Sequence, residues 1–297
     1  MTDIAPSSNN HPKSGLTIPR DQPSTASDGQ GRKIHVVLPA YNEVGNISVV
    51  LQDVCNVLAK RNRRLIVVDD GSTDGSTQQI EEFVARQAES IKVIHHATNQ
   101  GAPRTLFDGY REAISAADDD DCLICIEGDG TSDIGIMTTM IDRVDQNYDI
   151  VIAARYRSGG EIIGFPLTRR WISRLGNALL KAVFPHPQVT DFSIFYRAYR
   201  MEFVKKVFND AKGENVFIGR HFDGNTTFLL RCLTYDPNIC EVPQRYSYNR
   251  KKSLSSFRLI PIAIGLLRSL LSPSASAARA VCRKRRRLHI NSLKLNK

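Results

Sequence analysis

With 297 residues, 41% of them hydrophobic, the chain has apolar material for one large domain with tails or for two small domains. Its net charge of +9 is unevenly spread: residues 242–297 hold 14 Lys and Arg and no Asp or Glu, so the first 241 residues carry 26 basic against 31 acidic side chains. There is no candidate for a secretory signal, a bilayer span or a disulfide framework: the N-terminus has no apolar run, the longest apolar stretch (259–267) contains Pro261 and is shorter than the about 20 residues a span needs, and the six cysteines are scattered.

Residues 1–32, rich in Ser, Pro, Asn, Asp and Gly, are expected to form a disordered leader. The fold opens at Lys33. Residues 34–39 read as a first strand, broken by Pro39 into the loop Ala40, Tyr41, Asn42, Glu43. The spacing of Ile47, Val50, Leu51, Val54 and Leu58 predicts a helix from about 46 to 61. Residues 65–68 are a short β-branched run that reads as a strand buried on both faces, and it stops abruptly at Asp69 and Asp70. Gly71, Ser72 and Thr73 make a turn, and Asp74 is placed to cap a helix beginning at Thr77. A third strand (92–94), a turn at 99–103 and a helix through Thr105, Leu106, Gly109, Tyr110 and Ala113 follow. The strand at 123–126 again ends in acid, at Glu127-Gly128-Asp129-Gly130-Thr131. A helix over 136–144 and a strand over 149–154, ending at Arg155, continue the alternation. That order implies right-handed crossovers and a parallel sheet.

A buried strand that ends in two carboxylates is expensive unless something binds them. Ligands of open α/β sheets sit at the carboxyl ends of strands. Two acidic strand ends therefore point to a polar ligand, with a cation between the carboxylates and its phosphates. No GxGxxG follows the first strand and no P-loop is present, which argues against a dinucleotide dehydrogenase or a P-loop enzyme. Cys122 and Cys125 have metal-like spacing, but in a strand positions i and i+3 face opposite ways. Structural roles in a reduced, cytosolic chain are expected for the cysteines, and structural roles also for the histidines, including the strand-ending His95 and His96.

PAYNE (39–43), VVDDGSTDGS (67–76), N-x-G (99–101), EGD (127–129) and ARY (154–156) stand in an order and spacing that resembles the family 2 glycosyltransferases. Arg169, Ser173, Arg174 and Asn177, then Asp191, Ser193 and Tyr196 to Arg200, then Glu241-Val242-Pro243 and Arg250 with Ser253 and Ser255, are similar to the branch containing dolichyl-phosphate mannosyltransferase and bacterial polyprenyl-phosphate glycosyltransferases. The resemblance spans about residues 33–258. It implies an α/β chain of the GT-A nucleotide-diphospho-sugar transferase fold, Rossmann-like, with a mostly parallel central sheet flanked by helices. The catalytic domain would occupy 33–256. The implied reaction moves a hexose, with inversion, from a nucleotide sugar of the GDP-mannose or UDP-glucose type to polyprenyl phosphate.

The same resemblance implies roles. Asp129, supported by Glu127 and Thr131, would hold Mg²⁺ or Mn²⁺; the family's first Asp is replaced here by the longer Glu127. Pro39, Ala40, Tyr41, Glu43, Asp69, Asp70, Gly128, Asp129 and Arg250 would line the donor site, with Asp69 alternatively fixing its turn. Arg155, Arg169 and Ser173 would hold the acceptor phosphate, and Asp129, Asp191 and Arg155 would form the catalytic set. Asp191 or Asp223 would be required as a base for a sugar-hydroxyl acceptor, whereas a lipid phosphate is already anionic. Ile194 and Phe195 depart from the family's Ser-Gly after Asp191.

Arg169 and Ser173 lie one turn apart on one face of segment 167–184. Trp171, Ile172, Leu175, Leu179, Leu180, Val183 and Phe184 give it an amphipathic face suited to a membrane surface or to core packing. Residues 257–297 read as an amphipathic, polybasic tail ending in the Arg283–Arg287 cluster. Together these features lead us to expect a peripheral protein on the cytoplasmic face of a membrane, with a membrane-protein partner in view. Nucleic acid is not expected, because the aromatic spacing of such modules is missing. Two alternatives stand beside this reading: a sugar-hydroxyl acceptor in surface-glycan synthesis, and a catalytically idle nucleotide-binding partner subunit, motivated by Glu127.

Overall fold

Strand β1 (Ile34–Ala40) is the axis of the molecule, buried over nearly its whole length. The computed structural model describes residues 31–87, 91–214, 216–219, 223–250 and 259–295. Nearly all of the leader expected over 1–32, and the motif residues Ser253 and Ser255, lie outside the described residues.

After β1 come α1 (Ile47–Val57), β2 (Arg63–Asp69), α2 (Ser76–Arg86), β3 (Ile91–His95), α3 (Ala102–Ser115) and β4 (Cys122–Cys125). A 3-10 turn (Ile134–Ile136) leads into α4 (Met137–Asp145), followed by β5 (Ile150–Ala154), β6 (Glu161–Ile163) and α5 (Leu167–Val183). Next are β7 (Arg197–Arg200), α6 (Met201–Asp210), α7 (Asp223–Leu233), β8 (Ile239–Pro243) and β9 (Arg245–Ser247). Helices α8 (Leu259–Leu271) and α9 (Ala275–Leu295) close the described chain. Helix α1 ends short of Arg61 because beyond Leu58 no apolar side chain remains to face the core; Arg61 N–H instead closes a turn on the Leu58 carbonyl at 2.9 Å.

The main sheet has seven strands in the order β3-β2-β1-β4-β7-β5-β8. All pairings are parallel except those of β7, which runs antiparallel between β4 and β5. Helix α3 packs across β1 and β2 and meets α6 and α7, while α1 contacts α2 and the 3-10 turn before α4. The connection after β1 runs to β2 on one side, and the one after β3 crosses back to β4 on the other side of β1. The carboxyl ends of β1 and β4 therefore flank a topological switch point, where open α/β sheets place ligands. The register brings Ala40 level with Asp69, so two loops meet at one edge. A small parallel pair, β6 with β9, stands beside that edge.

The stretch expected as a separate tail is, from residue 259, built onto the folded unit that begins at Arg32. Helix α8 packs against α5 and α7, and α9 against α7. The spacing of Ala275, Ala278 and Cys282 presents a small-residue face, and all three are buried in the common core. Arg285 within the basic cluster pairs with Asp236 and donates from Nη2 to its carbonyl at 2.8 Å. Among the described residues all six cysteines are free thiols.

Candidate active site

The two acidic strand ends have different fates. At the end of β2, the groups that offset the burial of Asp69 and Asp70 belong to the protein. Asp69 accepts from Ser72 N–H at 3.1 Å and from the Thr77 hydroxyl at 2.5 Å, and faces His95 at 3.3 Å. Burial alone would raise its pKa, but the bonds from Ser72 and Thr77 hold the carboxyl below its ordinary value. Asp70 accepts from Gln100 N–H and Gly101 N–H, each at 2.9 Å, and its Oδ1 lies 2.7 Å from His96 Nδ1. Both carboxylates are 2–3% exposed. In this arrangement they fasten the turn after β2 and the Asn99–Gly101 turn, rather than face open donor space.

The rest of the DDGSTDGS motif holds the loop after β1. Asn42 N–H donates to the Ser72 hydroxyl at 3.0 Å, Glu43 N–H to the Ser76 hydroxyl at 2.8 Å and Val44 N–H to Asp74 Oδ2 at 3.0 Å. Asn42 Oδ1 accepts from Thr73 N–H at 2.8 Å, which supports the positive φ of 54° at Asn42. Asp74 also accepts from the N–H of Ser76, the first residue of α2, so one side chain ties a helix start to the neighbouring loop. Tyr41 stands out from this stitching with its ring 44% exposed. The carbonyls of Pro39 and Ala40 accept from Gly128 N–H (3.3 Å) and Asp70 N–H (2.9 Å), drawing the ends of β1, β2 and β4 together. A Cβ on Gly128 would come within 2.9 Å of Ile47 Cδ1 and 3.3 Å of the Pro39 carbonyl, so a side chain has no room there.

At the end of β4 the carboxylates are held by neighbouring hydroxyls and a backbone N–H. Ser132 donates to Glu127 Oε2 at 3.0 Å, and Asp129 Oδ1 accepts from the hydroxyl and N–H of Thr131 at 2.5 and 3.1 Å. The Glu127 carboxyl is pushed up to about 7, first by burial and then by the charge of Asp129. A buried carboxyl held up by the charge of a neighbouring carboxylate fits a divalent cation. Among the described residues no group of three or more His, Cys, Asp or Glu side chains could hold a metal. Glu127 and Asp129 would therefore supply only part of a coordination sphere, as Mg²⁺ sites completed by substrate phosphates and water do. Thr131 is 1% exposed and its hydroxyl is committed to Asp129, so it orients the carboxylate instead of presenting a free oxygen.

Beside this pair lies a buried ion pair. Arg155 Nε and Nη2 donate to Asp191 Oδ2 and Oδ1 at 2.7 and 2.8 Å, and Nη2 also reaches the Ser193 hydroxyl at 2.8 Å. Asp191 has no exposed surface; burial would raise its pKa, but the Arg155 guanidinium holds it below the ordinary value. Such a carboxylate is the fixed partner of an arginine and is not poised to take a proton. Asp223, the other expected base, is also enclosed, with Arg268 Nη1 at 3.6 Å from its Oδ2.

Four aromatic residues missing from the expected site join its parts. The Arg155 guanidinium carbon lies 5.3 Å from the Tyr246 ring centre and 5.2 Å from that of Tyr156. The Tyr156 hydroxyl donates to the Ser173 hydroxyl at 2.6 Å. Arg169 lies 4.5 Å from the ring centre of Tyr248 and 4.7 Å from that of Phe165, which tethers the start of α5 to the 3-10 turn Tyr248–Arg250. Arg250 itself is exposed at the end of that turn. Gln244 bridges strand ends by donating to the Ala153 carbonyl at 2.7 Å and accepting from Asp133 N–H at 3.4 Å. Glu241 anchors the segment before Asp191, accepting from Thr190 N–H at 2.5 Å and Asp191 N–H at 3.0 Å. Sequence proximity to the Glu241–Pro243 strand end was the available signal for Gln244 and Tyr246.

The switch point between β1 and β4, the acidic pair at the end of β4 and Arg155 fixed beside it are the arrangement of a GT-A glycosyltransferase. Residues 35–208 match the family model described as glycosyl transferase family 2, and the chain belongs to that family. Among curated relatives it is 26% identical to the undecaprenyl-phosphate mannosyltransferase of Micrococcus luteus over 211 residues, 71% of this chain and 82% of that protein. It is also 26% identical to the polyprenol monophosphomannose synthase of Mycolicibacterium smegmatis, over 58% of this chain and 63% of the relative, and 26% identical to the dolichol-phosphate mannosyltransferase of Pyrococcus furiosus, over 54% and 43%. The matched part of the chain thus spans less than two thirds of the last two. Among solved structures, glucosyl-3-phosphoglycerate synthase from Mycobacterium tuberculosis with Mn²⁺, UDP and phosphoglyceric acid superposes with a TM-score of 0.57 at 17% identity, covering 85% of this chain and 79% of that one. The same enzyme with Mg²⁺ and UDP gives 0.55 at 19% identity, covering 82% and 79%. These likenesses establish the fold.

Proposed function

We propose that the protein transfers a hexose from a nucleotide sugar to polyprenyl phosphate at a membrane surface. The observation that carries this reading is the state of the two carboxylates available as bases: Asp191 and Asp223 are both enclosed beside arginines. A sugar hydroxyl must lose a proton as it attacks, whereas a phosphate oxygen arrives already charged. The names of the curated relatives, all acting on polyprenyl or dolichyl phosphates, support the same acceptor class.

In this reading the exposed Tyr41 ring stacks on the base, and Pro39, Ala40 and Gly128, whose backbones tie the ends of β1, β2 and β4 together, line the nucleotide. Glu127 and Asp129 would hold a divalent cation, which when bound would neutralise charge on the departing diphosphate. Arg155, pinned by Asp191 and Ser193, keeps a guanidinium fixed beside the acidic pair, and Arg169 with Ser173 receives the acceptor phosphate. An acceptor phosphate oxygen forms the new bond to the anomeric carbon from the face opposite the leaving group. The bond to the nucleoside diphosphate breaks with both electrons leaving on the diphosphate, and the configuration inverts. In the same reading Arg250 balances that charge.

The basic C-terminal segment and the lipid acceptor together make the protein a peripheral one. No helix among the described residues is long and apolar enough to cross a membrane. Incubation with GDP-mannose and UDP-glucose, Mg²⁺ or Mn²⁺ and a short polyprenyl phosphate tests the reading. Metal-dependent glycolipid should form, and Asp129→Asn should reduce it roughly 100-fold or more. Turnover unaffected by chelator or by Asp129→Asn would refute the metal assignment.

A further inference from the structure

Strand β9 braces the acidic end of β4. Ser247 N–H donates to the Thr131 carbonyl at 2.8 Å, and the hydroxyl of Tyr246, the residue before it, hydrogen-bonds the Thr131 side chain. A threonine hydroxyl has one proton to give. Thr131 gives its own to Asp129 Oδ1 at 2.5 Å, so its oxygen accepts from Tyr246. Tyr246 keeps the proton it donates: burial first, then the charges of Asp129 and Glu127, hold the phenol well above its ordinary range. The result is a one-way chain from the Tyr246 hydroxyl through the Thr131 hydroxyl to the Asp129 carboxylate. Tyr246 and Thr131 are both buried, and hydrogen bonds in such a dry chain polarise one another toward the charge at its end. The Tyr246 ring is fixed as firmly as its hydroxyl. It meets Phe165 edge to face with ring centres 5.6 Å apart, and the Arg155 guanidinium carbon lies 5.3 Å from its own centre. One side chain thus reaches both signs of charge in the site.

We propose, on the reading of Glu127 and Asp129 as the cation's carboxylates, that Tyr246 is a positioning residue for the divalent cation: through Thr131 it aims the Asp129 carboxylate, while its ring spaces that carboxylate from Arg155. The N–H and the hydroxyl of Thr131 converge on one oxygen of Asp129, at 3.1 and 2.5 Å. The N–H is fixed by the backbone, but a hydroxyl rotates, and the bond from Tyr246 is what sets the rotor of the shorter contact. Glu127 and Asp129 supply only part of a coordination sphere, so the aim of each carboxylate weighs more than in a site closed by protein ligands. Packing against Phe165 and Arg155 is met by a phenylalanine as well as by a tyrosine; the buried hydroxyl is the part that needs a partner, and its partner leads to Asp129.

The full chain is titrated with Mn²⁺ alone, without nucleotide or acceptor, and binding is read from the relaxation rate of water protons. Tyr246→Phe keeps the ring against Arg155 and Phe165 and removes only the hydroxyl. It should weaken Mn²⁺ binding roughly tenfold, the lower end of what residues behind a metal ligand contribute. Thr131→Val breaks the chain at its next link and should weaken binding at least as much, whereas Thr131→Ser keeps the hydroxyl and should bind as the wild type does. Because both substitutions cut the same chain, the double variant Tyr246→Phe with Thr131→Val should bind no more weakly than Thr131→Val alone. Losses that simply add would overturn the proposal, since two independent structural defects would then be at work. Binding that is lost in Asp129→Asn but unchanged in Tyr246→Phe would overturn it while leaving the cation reading standing. Absent Mn²⁺ binding, or binding indifferent to Asp129→Asn, would instead fail the cation reading and this proposal with it.

Discussion

Asp191 and Arg155 are joined by two short hydrogen bonds in a space nearly closed to solvent. Buried pairs of this kind add little net stability as pairs, but removing one partner strands the other charge. Asp191→Asn should therefore lower the unfolding free energy by about 3 kcal/mol, measured by urea titration; a loss of turnover with unchanged stability would instead mark Asp191 as the base. Glu127 behaves in the opposite sense. Its folded-state pKa of about 7 lies above the ordinary 4.5, so its contribution to stability is complete below about 4.5 and is lost as pH rises through 7. Without divalent cation, thermal stability should decline across that window, and Glu127→Gln should flatten the decline; a profile identical in the two proteins would show that Glu127 is not desolvated beside Asp129.

At the level of elements, the turn after β2 is a critical joint. Gly71 has φ +71°, and a Cβ there would meet the Thr98 carbonyl carbon at 2.6 Å. Both the left-handed backbone and the close approach penalise a side chain. Gly71→Ala should cost about 2 kcal/mol or more, read as a lowered midpoint in denaturant; an unchanged midpoint would mean that the two turns can separate freely. Strands β1 to β5 and helices α1 to α4 were legible because each carries its own periodicity and turn chemistry. The assignment of Asp70 was not, since its partners are backbone N–H groups of Gln100 and Gly101, some thirty residues away, and no side-chain pattern announces them. The same holds for the docking of α9, whose burial rests on three small residues within a strongly basic stretch. Glu127 and Asp129 were legible because a strand ending in two carboxylates is a local pattern; the aromatic contacts of Arg155 and Arg169 were not, because β9 and its turn approach α5 only through the fold.

The whole molecule separates its chemistry by sheet edge and its charge by helix. The acidic pair sits at the carboxyl end of β4, and the basic excess lies on the C-terminal helices, so an anionic donor and an anionic surface can be engaged by different parts of one chain. The account turns on the acceptor. The decisive measurement offers the protein, in one reaction with nucleotide sugar and Mn²⁺, a short polyprenyl phosphate, the corresponding free polyprenol and a neutral glycoside, and identifies the labelled product by mass. Hexose on the phosphate alone is the predicted result. Hexose on the glycoside, with the polyprenyl phosphate untouched, would contradict it and would require a base that the enclosed Asp191 and Asp223 do not provide in this structure.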